Sequence, residues 1–407
     1  MTDRLLLQFD GLTGPIALVR CPELRDLLST LSPGWTGRVC EKSDSDEQPL
    51  ITVRRDEDGY WLTSRRNPKA ARHKAAVNVT CALISELFWP FLEAEPDLLC
   101  VHGAAVEFAG KLVVFPNRYR AGKSLLSAAL VAAGRRLFTD DVLPIVSGTA
   151  RGLALGVRPR LRIPVPDDLD ARTRQFIDER AGPSSGRYLY LNTTETEQAT
   201  RGTQLPIGAF VLLERDASVK PAMTPISFGT VMRQLIWQNF ARRLHHAEIL
   251  RRLHQLSEGA RCYCLRYARV EQGVTLLGKA FDTWPDAPVQ RNATQAATIN
   301  SISCLETAGT SPRFFTRDPR VVESIADGDH FLSNSDGTAI HHLNPLGSAV
   351  WQLLMNDISS TELVDAVHCA YPDVRRERIE ADVRKLIAKL LESGLVVAGP
   401  EALSPRQ

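Results

Sequence analysis

The residues with the clearest chemical capacity lie between His102 and Asp141. In "VVFPNRYRAGKSLLSAAL" (113–130), an apolar run leads into a polar turn and then into a run of strong helix formers. Gly122, Lys123 and Ser124 fill the closing places of the phosphate-loop pattern G-x-x-x-x-G-K-[ST], whereas Asn117 stands where the first glycine belongs. Such a loop aims backbone amides and a helix dipole at an anion, and its lysine reaches the outer phosphates. Asn takes left-handed backbone angles more readily than other non-glycine residues, so the sequence predicts that the turn still closes through Asn117. Arg118 and Arg120 add positive charge, read equally as phosphate contacts or as solvated loop residues.

One predicted helix later, "RRLFTDDVLPIV" presents Asp140 and Asp141 at a strand end. Paired carboxylates divide two tasks, one holding magnesium and the other taking a proton from an attacking hydroxyl. Upstream, "LLCVHGAAVEFAGK" sets His102 and Gly103 on a strand, followed by a turn near Ala109 and Gly110. A lone histidine is usually packed or exposed and an Asp-Asp pair is ordinary; their order around a phosphate loop gives them weight. Downstream, "GVRPRLRIPVP" alternates Arg158, Arg160 and Arg162, as on one strand face, where they either stabilise transferred charge or form an exposed basic edge.

These residues need a scaffold, and 407 residues allow two or three domains, each burying its own core. Organisation is read as an amino-terminal α+β unit (1–96), an α/β region (97–282), a linker (283–312) rich in Ala, Thr, Ser and Asn, and a helical module (313–399). The first unit contains "NPKAARHKAAVNVTCALISELFWPFLEAEP", expected to be a helix ending near Pro90 and Pro96. It shows no chemistry of its own and is a candidate for homo-oligomerisation or substrate shielding.

Composition names no partner. The chain is 44% hydrophobic and 24% charged with net charge +2, which sets it apart from disordered and strongly nucleic-acid-binding classes. No stretch stays apolar long enough to cross a membrane and no signal-peptide pattern opens "MTDRLLLQFDG", so a cytoplasmic location is expected. Eight cysteines are scattered; Cys262 and Cys264 alternate on a predicted strand and read as reduced thiols. His245, His246 and His254 sit in a basic helical window without supporting ligands and read as surface residues.

Taken together, "VHGAAVEFAGKLVVFPNRYRAGKSLLSAALVAAGRRLFTDDVLPI" resembles the HPr kinase/phosphorylase family. The resemblance implies an α/β P-loop kinase domain that transfers phosphate from ATP or another donor to a serine hydroxyl, with Mg2+. It implies nucleotide binding by Asn117, Arg118, Arg120, Gly122, Lys123 and Ser124, and metal binding by Ser124 and Asp140. Catalytic roles would fall to Asp140, Asp141 and His102. Leu125 replaces the acidic residue usual after Gly-Lys-Ser, and the family's later glycine-rich segment is missing, which argues against phosphorylase action.

In the carboxy-terminal module, Asn344 or Pro345 starts a first helix, "DISS" caps a second, and a third runs to Gly394 behind an Asp336-Gly337 hairpin, a winged-helix pattern. The residues "LNPLGSAVWQLL", "TELVDAV" and "DVRKLIAKLLESGLV" resemble the PqqD family, whose members bind leader segments of ribosomally made precursor peptides and deliver them to other peptide-modifying enzymes. That implies peptide contacts at Phe331, Leu332 and Ile340 on the hairpin and at Arg384 and Lys385 on the last helix. The interleaved acids Glu377, Glu380 and Asp382 argue against nucleic acid as a partner. The expected function is a serine kinase of a precursor peptide or small protein. A nucleotide-responsive peptide chaperone without phosphoryl transfer is the alternative, and a transcriptional regulator a third reading.

Overall fold

The computed structural model describes residues 4–40, 48–117, 121–240, 244–256, 259–284 and 314–399. They fall into two compact units. The first comprises Met1–Ile226, Gln234–Arg243 and Glu258–Val289; the second comprises Ser227–Arg233, Leu244–Ser257 and Gln290–Gln407. No described helix is long and apolar enough to cross a membrane.

The first unit is mixed α/β. It opens with β1 (Arg4–Phe9), β2 (Ile16–Val19), α1 (Glu23–Leu31), β3 (Gly37–Val39), β4 (Ile51–Asp56), β5 (Gly59–Ser64), β6 (Ala71–His73) and α2 (Ala76–Ala94). The strands form one sheet in the order β3-β1-β2-β4-β5-β6. Helix α2 runs through Pro90 rather than stopping there, because Leu83, Leu87, Phe88, Pro90 and Phe91 continue one buried face. Burial along that face offsets the hydrogen bond a mid-helix proline removes. Trp35, Phe88 and Phe91 share a core with Leu98, Cys100, Val142 and Leu155, so residues from either side of position 96 lie in one compact unit.

The larger sheet draws on β7 (Leu98–His102), β8 (Ala104–Phe108), β9 (Lys111–Phe115), β10 (Arg136–Thr139), β11 (Val142–Val146) and β12 (Arg151–Leu153), with α3 (Lys123–Ala132) between β9 and β10. A small sheet then follows from β13 (Arg160–Arg162), β14 (Ala181–Ser184) and β15 (Tyr188–Leu191), with α4 (Ala171–Glu179) inserted. Then come β16 (Gln204–Arg215), β17 (Ala222–Pro225), α5 (Phe228–Gln238), α6 (His246–Leu256), β18 (Arg261–Tyr267) and α7 (Val270–Phe281). The large sheet has the order β10-β8-β9-β16-β12-β11-β7, and β18 branches from β16 with β17 beside it. Strand β16 runs parallel to both β9 and β18. Helices α3 and α7 cover this sheet through Leu126, Leu130, Leu277 and Phe281, packed on Val113, Phe115, Val211 and Leu265. Helix α3 closes on Gly134 at φ 84°, the left-handed stop its sequence predicts.

The second unit contains α6, β19 (Phe314–Arg317), β20 (Val322–Ala326), β21 (Asp329–Ser333), β22 (Ile340–His342), α8 (Pro345–Leu353), β23 (Ile358–Ser359), α9 (Ser360–Ala370), α10 (Arg376–Glu392) and β24 (Val396–Ala398). Two three-stranded antiparallel sheets, β20-β21-β22 and β23-β19-β24, flank the helices. Asn344 caps α8 by accepting from Gly347 N at 2.7 Å, and Ser359 with Glu362 forms a capping box on α9. Leu332, Trp351, Leu363, Val383 and Ile387 meet in the core. His245 and His254 are exposed, as expected of surface residues, and His246 is half-buried; His246 Nδ1 meets Gly337 O at 2.6 Å and His254 Nδ1 meets Ser324 Oγ at 3.2 Å. Their helix packs on the β20-β21-β22 sheet, a tertiary contact that helical periodicity alone does not reveal.

Candidate functional site

Strand β9 delivers the chain to the loop, and Gly122 (φ 85°) turns it into α3. A side chain there would be strained by the left-handed backbone. The first-turn amides of α3 have no intrahelical acceptors and, with the helix dipole, favour an anion. Lys123 opens the helix, is only 7% exposed, and donates from Nζ to Asn117 O at 2.7 Å. Burial lowers its pKa, while the charges of Asp141 and Asp140 oppose that shift.

Asn117 does a different job from the one its sequence position suggests. It is not among the described residues with positive φ. Its side chain accepts from Leu213 N at 2.8 Å and donates to Leu213 O at 3.0 Å. Val114 is in register with Phe210, so three residues on, Asn117 falls opposite Leu213. The carboxamide therefore replaces a strand peptide and extends the β9–β16 pairing after the β9 backbone has turned away. Leu125 also differs from the acidic residue of the resemblance for a visible reason, since it packs against apolar clusters on both sides of α3. Arg118 and Arg120 lie outside the described residues.

Asp140 and Asp141 form the turn between β10 and β11, and His102 ends β7 next to it. Gly103 N donates to Asp141 O at 2.9 Å, fixing the histidine strand to the carboxylate turn. A Cβ at Gly103 would lie 3.1 Å from Phe115 O, so glycine permits the close approach of β9. His102 Nδ1 lies 3.0 Å from Asp141 Oδ1, and Arg160 Nη2 donates to Asp141 Oδ2 at 2.8 Å. Arg160 N donates to Asp140 Oδ2 at 3.0 Å, and its guanidinium also contacts Cys81 Sγ.

The two neighbouring carboxyls thereby become unlike. Burial, reinforced by the charge of Asp141, pushes the Asp140 pKa up to about 6, with Arg160 and His102 opposing. Burial would also raise Asp141, but the His102 hydrogen bond and the charges of Arg160 and Lys123 hold it below the usual carboxylate range. Asp141 in turn raises the pKa of Arg160 against the effect of burial.

His102, Gly122, Lys123, Ser124, Asp140 and Asp141 all line one open cavity of about 510 Å3. The cavity thus brings together these six residues of the predicted phosphate and catalytic sets, while Asn117, also described, is not among its lining residues and turns its side chain to Leu213. Among the described residues no group of three or more His, Cys, Asp or Glu forms a metal centre. Both Asp141 oxygens are engaged by protein groups, leaving Asp140 and the Ser124 hydroxyl as oxygen donors. Such a sparse set fits Mg2+ that arrives with phosphates, since Mg2+ keeps several waters and takes few protein carboxylates.

Arg160 is a central organiser that the sequence marked only as one arginine of an alternating run. Its partner across the small sheet, Tyr190, and the next aromatic, Tyr188, were missed; the alternation in "YLYL" was the available signal. In the carboxy-terminal module, Phe331 and Leu332 are completely buried, so these two side chains belong to the interior and not to a free peptide-binding surface. Ile340 is half-buried. Arg384 and Lys385 are exposed on α10, with Arg384 paired to Glu380 at 2.7 Å.

No curated protein matches the chain. Residues 329–396, from β21 to β24, match the family model of Coenzyme PQQ synthesis protein D (PqqD), so the carboxy-terminal part of the chain carries a PqqD-like domain.

Proposed function

We propose that the protein is an ATP-dependent kinase of a serine in a ribosomally made precursor peptide, with its PqqD-like domain capturing the leader segment. The PqqD match supports a peptide-recognition role in precursor-peptide modification. The observation that carries the kinase reading is the convergence of Lys123 and Ser124, at the start of α3, with His102, Asp140 and Asp141 around one cavity.

In this reading the first-turn amides of α3 and Lys123 hold the phosphates of the nucleotide. Ser124 and Asp140 would hold Mg2+, which supplies charge neutralisation at the phosphates. Asp141, kept ionised by Arg160 and His102, accepts the proton of the serine hydroxyl as its oxygen attacks the terminal phosphorus. The bond from that phosphorus to the bridging oxygen breaks and the nucleoside diphosphate leaves. Tethering through the leader raises the local acceptor concentration to roughly millimolar when the connection spans the distance.

The test is mass spectrometry of a precursor peptide encoded beside the gene, incubated with the full chain, ATP and Mg2+. A phosphate-sized gain is expected, lost in Lys123→Ala and Asp141→Asn. Peptide and nucleotide binding without any gain would replace the kinase by the peptide chaperone.

A further inference from the structure

The small sheet β13-β15-β14 has two unlike faces. Its register pairs Arg160 with Tyr190, Leu161 with Leu189, and Arg162 with Tyr188. Leu161, Leu189 and Leu191 point into an apolar cluster with Ala128 and Ile177. Alternation sends Arg160, Arg162 and Tyr188 to the opposite face, where all three line the cavity that holds the paired aspartates. Both guanidinium groups approach the Tyr188 ring, Arg160 at 5.2 Å and Arg162 at 6.0 Å from its centroid, and Arg187 joins them at 5.9 Å. Arg160 is turned inward and pairs with Asp141, whereas Arg162 and Arg187 are exposed.

We propose that Arg162, set against Tyr188, selects an acidic side chain of the acceptor peptide two positions from the phosphorylated hydroxyl. This rests on the kinase reading and names the acceptor chemistry of the same cavity. The spacing comes from the strand itself. Arg160 and Arg162 are successive residues on one face, so their Cα atoms lie roughly 7 Å apart. An extended acceptor has the same repeat: with its hydroxyl beside the Arg160–Asp141 pair, the side chain two residues along falls at Arg162. Positive charge there favours a carboxylate, which a guanidinium can engage through two parallel N–H groups.

The experiment uses the full chain with synthetic serine-centred peptides that carry Glu, Gln or Lys two positions to either side. Phosphoryl transfer and peptide affinity, the latter by fluorescence anisotropy, are read for wild type and Arg162→Glu. The wild type is expected to favour Glu over Lys by about tenfold in kcat/KM, and Arg162→Glu to reverse that order. Transfer that ignores the charge at these positions, or Arg162→Glu that keeps the preference for Glu, overturns the proposal while leaving the kinase reading intact. Loss of labelled-ATP binding in Arg162→Glu would assign this wall to the nucleotide and also overturn it. Charge-reversed peptide binding without any transfer would keep the acidic-peptide site and reject the kinase.

Discussion

Asn117→Gly would restore the glycine of the phosphate-loop pattern, yet the structure makes it a damaging change. The Asn117 carboxamide makes two hydrogen bonds, at 2.8 and 3.0 Å, to the backbone of Leu213, a residue only 5% exposed. Removing the side chain leaves a nearly buried N–H and C=O without these partners, at about 1–2 kcal/mol for each bond, or about 2–4 kcal/mol together. In a unit of this size that lowers Tm by roughly 5–10 °C. Asn117→Ala separates the two accounts of the residue. Where a carboxamide clamp matters, Ala and Gly both lose it and Gly also suffers from its freer unfolded chain, giving the stability order Asn, then Ala, then Gly. Where left-handed closure matters, Gly equals or exceeds Asn and Ala is worst. Thermal unfolding ranks the three proteins, and amide hydrogen exchange over β16 reports whether Leu213 loses protection. A glycine variant as stable as wild type, with Leu213 still protected, would refute the clamp.

Two further outcomes follow from burial. Asp140 in the folded protein titrates at about 6, above the roughly 3.9 of an unfolded chain, so the folded state binds more protons between those values and stability falls as pH rises through that window. Asp140→Asn should retain the acceptor for Arg160 N and remove this slope, gaining roughly 1–3 kcal/mol at neutral pH in the presence of a chelator; parallel pH profiles of denaturant unfolding would contradict it. Leu332→Ala empties a fully buried core position and should cost about 2–5 kcal/mol, exposing the carboxy-terminal module to limited proteolysis. A variant with unchanged protease resistance but weaker peptide binding would return Leu332 to the recognition surface.

Local signals carried much of the scaffold. The β9–loop–α3 passage, the Gly134 stop, the Asp-Asp turn and the caps of α8 and α9 each depend on a few contiguous residues, and each is present. The misreadings involve partners distant in sequence. Asn117 was assigned a backbone role because Leu213, which its side chain serves, lies on another strand. Of the two prolines expected to mark the end of α2, Pro96 does lie just past its last residue, Ala94, whereas an apolar face shared with residues beyond position 96 carries the helix through Pro90. Phe331 and Leu332 show the complementary limit: as strand neighbours they face opposite sides of the hairpin, yet both are fully buried, and strand alternation cannot say that both faces will be covered.

The pairing of Asp140 with Asp141 shows why the site needed three dimensions to be understood. Adjacent identical residues cannot be told apart by composition or spacing, and two like charges so close would resist ionising together. The turn between β10 and β11 separates them, turning Asp141 toward His102 and the Arg160 guanidinium and leaving Asp140 with the Arg160 backbone amide in a nearly dry setting. One residue, Arg160, therefore contacts both carboxyls through different groups, and only one of those contacts carries full charge. A side-chain change at Arg160 would remove one charge that favours ionised Asp141 while leaving the amide on Asp140, yet the two carboxyls would stay unlike, because the burial of Asp140 and the His102 hydrogen bond to Asp141 remain.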